Sequence, residues 1–256
     1  PELRCKYNAA FKNLHIAASG NYNLFTTTNA TYDPTLHVED CTVDAAYNVV
    51  YDSHNTQNFK SVYFGNSIVK MTVANKPFYS TKAKDAHTQQ LIRLDNNVFY
   101  AETPLQNYLI NCGDRSQAFQ TTRLQVEVTN NTIYNIYQPN IMIRAYVLAG
   151  LTVTKNVGYY TGVTAKNYLT GVYDTAGFTA DKAEVTYNYL YTAPVSDTNF
   201  WSAKHTGSYT PANNQMGDGV EAPFSSMDAA KGYFPVDASV VKTGAGATYD
   251  TKAWFK

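Results

Sequence analysis

Cysteine is nearly absent from this chain: Cys5, Cys41 and Cys112 are the only three thiols in 256 residues. They match no zinc-ligand spacing and are too few for a disulfide framework. One bridge with a thiol left over, and three inert thiols, stay open as alternatives. Charge is scarce too. Charged residues make up 16% of the chain, against roughly 25% in ordinary soluble domains. The 20 Lys+Arg balance the 20 Asp+Glu, so no basic excess drives nucleic-acid binding over the whole surface. No apolar run reaches the roughly 18 residues of a membrane-crossing helix. The most apolar one, Ile141–Ala149, is interrupted by Arg144.

Catalytic patterns are missing as well. The five histidines, His15, His37, His54, His87 and His205, never fall four residues apart, so they offer no helical metal pair. There is no Gly-x-Ser-x-Gly elbow and no phosphate-cradling glycine loop after a strand. Cys112, before Gly113 and Asp114, reads as a turn. Glu39-Asp40 with Asp44 is the one tight acidic group. Adjacent residues of a strand face opposite ways, so an extended Glu39-Asp40 cannot present both carboxylates to one substrate. A surface loop is the plain reading there, and an oxygen-rich calcium site at a subunit contact is the sharper one. The expectation is no enzyme and no cofactor.

Tyrosine is abundant instead, with 22 Tyr against 12 Phe and 2 Trp. It sits among Thr, Asn and Val in alternating runs such as Val185-Thr186-Tyr187-Asn188-Tyr189-Leu190-Tyr191. These residues suit a pleated, half-buried surface, and Tyr adds a large contact area with a polar tip. Few charges with many hydroxyls and amides point to an extracellular, virion or assembly surface. Asn29-Ala30-Thr31 and Asn130-Asn131-Thr132 are glycosylation sequons by pattern, as expected by chance in so Asn-rich a chain.

Period-2 alternation predicts strands over Tyr22–Thr28, Ala46–Tyr51, Ser67–Ala74, Val98–Ala101, Thr122–Thr129, Ile141–Ala149, Gly158–Thr164, Leu169–Tyr173 and Glu184–Tyr191. One wet face per strand implies antiparallel pairing. Helical starts are expected at Asp85–Leu94, Thr103–Asn111 and Ser196–His205. No βαβ rhythm and no internal repeat is apparent. The chain therefore reads as all-β, an antiparallel β-sandwich of jelly-roll type. Its sheets would face each other across Val69, Met71, Val73, Leu124, Val126, Val128, Ile143 and Val147. The sandwich is assigned to residues 1–206. Residues 207–256, broken by Gly207, Pro211, Gly217 and further Gly and Pro, are assigned to a loop-rich C-terminal tail packed on the body or a neighbouring subunit.

Two stretches resemble coat proteins of small circular single-stranded DNA viruses of eukaryotes. Pro1-Glu2-Leu3-Arg4 is similar to the segment leading into their jelly roll. Pro194-Val195-Ser196-Asp197-Thr198-Asn199-Phe200-Trp201, followed by Lys204 and Pro211, is similar to their Pro–Ser–Phe–aromatic–Lys stretch. Ile141–Ala149, after Thr129-Asn130-Asn131-Thr132, also looks like a late strand of that fold. The resemblance implies a coat protein of the virion that self-assembles into a closed shell of its own copies. Nucleic acid would be held by a basic arm preceding Pro1. Tyr159, Tyr160, Phe200, Trp201, Phe224, Tyr233, Phe234 and Trp254 are the subunit-interface candidates. The alternatives are an extracellular filament subunit with exchanged strands and a secreted glycan-binding module.

Overall fold

A computed structural model describes residues 2–18, 20–27, 34–52, 59–81, 91–112, 124–138, 141–145, 148–160, 168–172, 183–191, 199–201, 209, 211–217, 219–250 and 252. Its strands follow one another in threes. The first coil is β1 (Leu3–Cys5), β2 (Ala9–Lys12) and β3 (His15–Ala18). The second is β4 (Phe25–Thr27), β5 (Thr35–Glu39) and β6 (Thr42–Ala45), and the third β7 (Val50–Asp52), β8 (Ser61–Gly65) and β9 (Ile68–Met71). Next come β10 (Tyr79–Thr81), β11 (Leu91–Asp95) and β12 (Val98–Gln106), then β13 (Ile110–Cys112), β14 (Leu124–Thr129) and β15 (Thr132–Tyr137). The sixth coil is β16 (Ile141–Ala145), β17 (Leu148–Thr154) and β18 (Val157–Tyr159), and the seventh β19 (Tyr168–Val172), β20 (Ala183–Thr186) and β21 (Tyr189–Leu190). β22 (Asn199–Trp201) and β23 (Gln215–Met216) belong to the eighth.

Each strand pairs with its counterpart in the next coil, three places on except for β21 with β23, always in parallel. This gives sheet 1 (β1 to β22, eight strands), sheet 2 (β2 to β20, seven) and sheet 3 (β3 to β23, eight). The molecule is a three-sided parallel β-solenoid. Among the described residues there is no helix.

This corrects the antiparallel jelly-roll reading. A solenoid face also carries one buried and one wet side, so in-out alternation cannot reveal the direction of the neighbouring strand. Of the expected core, Val69, Met71, Leu124, Val126, Val128 and Ile143 are buried. They line the inside of the solenoid instead of the gap between two sandwiched sheets. Val73 is half-buried at a bend after β9, and Val147 lies outside the described residues. The expected helix at Thr103–Asn111 falls in β12 and β13. Pro104 sits where the β12–β15 register shifts, and there a missing N–H is tolerated. Of Asp85–Leu94 and Ser196–His205, the described parts are strand, within β11 and β22.

Two of the expected strands are each two strands of one coil. Glu184–Tyr191 divides at Tyr187, which has φ 57°. Ile141–Ala149 divides into β16 and β17.

The corner between sheets 2 and 3 explains why the chain coils. Its first residue is left-handed in all eight coils: Asn13, Asp40, Asn66, Asn96, Asn130, Lys155, Tyr187 and Asn213, with φ between 50° and 57°. Asn and Asp tolerate this conformation better than other side-chain-bearing residues. One left-handed residue bends the strand into the next sheet without reversing it.

The second corner residue points inward, and from Ser67 onward these residues form a hydrogen-bonded column: Ser67, Asn97, Asn131, Asn156, Asn188 and Asn214. In each step a backbone N–H donates to the side-chain oxygen one coil on, as from Asn97 to Asn131 Oδ1 (2.9 Å) and from Asn131 to Asn156 Oδ1 (3.0 Å). Each amide nitrogen also donates to a carbonyl of the previous coil: Asn97 to Phe64, Asn131 to Leu94, Asn156 to Val128 and Asn188 to Val153. From Ser67 to Asn188 the column is buried and hydrogen-bonded, so its polarity carries no desolvation penalty left unmet. Beside it the core is apolar and holds a run of rings: Phe11, Phe25, Phe64, Phe78 and Phe99, with neighbouring centroids 4.8 to 6.1 Å apart.

Asn131→Ala strips the acceptor from the Asn97 backbone N–H and the donor from the Leu94 carbonyl, both buried. Urea unfolding should show a loss of about 3 kcal/mol; a loss below about 1 kcal/mol would show that the column does not hold the corner. Tyr187→Asn should instead stabilise by about 1 kcal/mol, because Asn accepts the left-handed backbone that Tyr resists.

Candidate functional site

A solenoid presents three outer faces. The outer face of sheet 3 is already occupied by residues 219–250, which carry no regular strand beyond isolated bridges. Ile68, Val98, Tyr100, Val157, Tyr159 and Tyr189 project from the sheet and meet Phe224, Phe234, Val241, Ala245 and Tyr249 of this segment. Tyr134 stacks on Phe234 with centroids 4.0 Å apart. Close approach of the backbone requires glycine at two points. Gly232 has φ +64°, and a Cβ there would lie 2.7 Å from Ile68 and 2.8 Å from Tyr100; Gly246 has φ +102° against Val236 and Val157.

Beyond this segment, Lys252 is fully buried. Its Nζ donates to the carbonyls of Asn96 (2.6 Å) and Thr248 (2.9 Å). Burial lowers its pKa from 10.5 to about 7, against the opposing pull of the Asp40 and Asp95 carboxylates. A neutral amine has two N–H groups, and two carbonyls receive them.

The outer face of sheet 2 is flat and ion-paired. Lys12 Nζ lies 2.9 Å from Glu39 and 3.5 Å from Asp40, and Arg93 lies 3.3 Å from Glu127. Asp40 is left-handed, so it does not alternate with Glu39 as an extended residue would, and both carboxylates bracket one ammonium. Lys12 accordingly lowers the Glu39 pKa. Among the described residues no three His, Cys, Asp or Glu side chains converge as metal ligands. Cys5 and Cys41 are free and buried, and burial raises both thiol pKa values, to about 11 for Cys5. The Cys112 side chain lies outside the described residues.

Sheet 1 carries a groove of about 350 Å³ along its outer face and the corner leading into it. Tyr51, Ser80, Asn111 and Arg144 occupy one register row across β7, β10, β13 and β16. With strands ~4.8 Å apart, the row runs for ~14 Å along the axis. Tyr47, Lys76 and Tyr108 rise from the corner beside it. Lys76 Nζ sits 4.0 Å over the Tyr47 ring, and within 2.6 Å of a Tyr47 hydroxyl. Arg144 lies 4.8 Å over the Tyr108 ring and donates twice to Asn111 Oδ1, at 2.9 and 2.6 Å. Asn23, Asn48 and Asn75 complete the lining. Asn48 is 7% exposed, and its Nδ2 donates to Asn23 Oδ1 (2.7 Å) while its own Oδ1 has no partner. Among the described residues, no carboxylate lines the groove.

The interface candidates lie elsewhere. Tyr160 is buried inside the coil, and Phe200 is half-buried against it. Tyr159, Phe224, Tyr233 and Phe234 form the contact between sheet 3 and its covering segment, within one chain. Trp254 and the Trp201 side chain lie outside the described residues, as does the Asn29 sequon. In the other sequon, Asn130 is the left-handed corner residue and donates to Asp95 Oδ1 (3.1 Å). The groove residues were not foreseen, because they come from four coils that are adjacent only after folding. A recurring dipeptide was the available clue: Asn66-Ser67, Asn96-Asn97, Asn130-Asn131 and Asn213-Asn214, mostly ahead of a β-branched residue, mark the same corner in the third, fourth, fifth and eighth coils. Comparison with protein-family models, curated proteins and solved structures finds no match.

The Lys252 amine makes the covering segment sensitive to pH. Unfolded, it titrates near 10.5, and folded near 7. Between those values the unfolded state binds the extra proton, so stability rises with pH, by up to about 1.4 kcal/mol per unit. Below 7 both states are charged and this gain is absent. Tyr100, pushed up to about 12 by burial, stays protonated throughout. Unfolding followed from pH 7 to 9.5 should show this slope, and Lys252→Met should flatten it. Gly232→Ala should loosen the same segment, seen as faster amide exchange at Phe234 and Ala247 while Asn131 stays protected.

Proposed function

We propose that this protein is a non-catalytic carbohydrate-binding module that takes a saccharide chain in the groove on sheet 1. The carrying observation is the combination of three tyrosines, Tyr47, Tyr51 and Tyr108, with four asparagines in one concave, solvent-open site. Aromatic faces stack on the apolar faces of sugar rings, while side-chain amides both donate to and accept from hydroxyls. The rigid row across four parallel strands gives a straight track, suited to a chain of repeating units more than to a compact small molecule.

A binding role is preferred to hydrolysis because a glycosidase places two carboxyl groups about the scissile bond, and none of the described residues lining the groove carries one. The closed-shell coat reading drew on an eight-stranded antiparallel jelly roll. With all sheets parallel that support is gone, and the exposed groove favours the glycan-binding alternative.

Glycan-array screening followed by titration calorimetry tests the proposal. Tyr51→Ala and Tyr108→Ala should each weaken binding of the selected saccharide about tenfold or more, as expected for truncated aromatic anchors. Tyr7→Ala, at an exposed position on the first coil, should leave affinity unchanged. Retained affinity in both groove variants would refute the site.

A further inference from the structure

We infer that the open end of the solenoid, formed by the first coil, is a self-association surface on which two copies of this chain meet head to head about a two-fold axis. Among the described residues no strand lies beyond β1, β2 and β3, so each has one unpaired edge. Coils stack by burying one another's inward side chains. In the second coil Phe25, Leu36, Val38, Val43 and Ala45 are buried. Their register partners in the first coil are not: Leu3 is exposed, and Ala9, Phe11, Ile16 and Ala18 are half-buried. Leu14, at the corner between β2 and β3, is exposed as well. Leu3, Tyr7, Leu14 and Tyr22 are half of the exposed large apolar side chains among the described residues, and all four belong to this coil and its exit.

The axis that suits this coil crosses sheet 1 and leaves through the corner between sheets 2 and 3. β2 and β3 have four residues each on either side of that corner. The rotation therefore lays β2 of one copy antiparallel against β3 of the other, and β1 against itself. Leu14 meets Leu14 on the axis. At β1, a register centred on Leu3 sets Glu2 opposite Arg4 twice, the self-complementary arrangement that an isologous contact demands. Tyr7, at the corner after β1, faces Tyr22 of the second copy, at the corner after β3. Phe11 and Ile16, already packed on the core from within, are covered from the other side. The apolar stack of coil on coil thus continues across the axis. Sheet 1 of both copies then faces the same way, with each groove complete.

Head-to-tail stacking on the eighth coil fits less well. Met216 is exposed there, but the Val185 N–H already donates to the Tyr209 hydroxyl (2.8 Å), and the Gln215 side chain is bonded to Val240 and Lys242. Lysine on an edge strand can also serve to blunt the edge against pairing. Here Lys12 is drawn toward the second coil, 2.9 Å from Glu39 and 3.5 Å from Asp40, and so away from the open edge. Lys6 lies at a corner, outside any strand.

Sedimentation equilibrium of the intact 256-residue chain, across about two decades of concentration, should show a monomer–dimer equilibrium that goes no further. Leu14→Glu puts like charges on the axis and should weaken the dimer about tenfold or more, with an unchanged circular dichroism spectrum. Arg4→Glu should weaken it too, and Glu2→Arg combined with Arg4→Glu should restore it, because the antiparallel register pairs these two positions. Met227→Glu, exposed on the covering segment, should leave it unchanged. Under mild oxidation Leu14→Cys should cross-link to itself, since a disulfide needs Cα atoms within about 7 Å. A monomer at every concentration would overturn the inference, even if the open end took a strand from some other protein. Open-ended oligomers, or a dimer in which Leu14→Cys fails to cross-link, would overturn it equally.

Discussion

The hydrogen-bonded asparagine column sets the terms for everything else in this molecule, because it lets a sharp corner be buried. Turning a strand through the corner between sheets 2 and 3 removes backbone groups from the regular ladder, and inside a core each such group would cost about 1 to 3 kcal/mol. Asn97, Asn131, Asn156 and Asn188 answer this with one oxygen that accepts from the coil before and one nitrogen that donates to a carbonyl there. The same residue serves two coils at once. Neighbouring coils are thereby locked in register, and the register in turn aligns the rows on all three outer faces.

From that register comes the difference between the faces. Aromatic and aliphatic side chains aligned on sheet 3 make an apolar strip that the segment 219–250 covers. Opposite charges aligned on sheet 2 pair with one another. Sheet 1 aligns a tyrosine, a serine, an asparagine and an arginine, a mixture that neither closes on itself nor repels water. That face carries the concave site lined by Tyr47, Tyr51 and Tyr108. The covering segment contributes indirectly, by removing the most apolar face from solvent.

The coil repeat was hard to see because its length varies. Equivalent ladder positions are 34 residues apart between Asn97 and Asn131 but only 25 apart between Asn131 and Asn156. The difference is taken up in the connections between sheets, so no fixed period exists to detect. Tyr187 and Lys155 at left-handed positions further obscured the Asn signal, and the hydrophobic run through Ile141–Ala149 hid the division between β16 and β17.

By itself the sequence determined that the chain is built of short strands with one buried side, because alternation of Val, Leu and Ile with polar residues is a local property of an extended backbone. It also determined the scarcity of thiols and charges, and it named much of the core: Val69, Met71, Leu124, Val126, Val128 and Ile143 are buried as the alternation requires. Strand direction, coil order and the groove were decided by tertiary structure alone. Parallel pairing joins each strand to one a whole coil away, and Tyr51, Ser80, Asn111 and Arg144 become neighbours only through those long-range hydrogen bonds. The pattern along a strand records which side faces the core. It carries no record of which strand lies beside it.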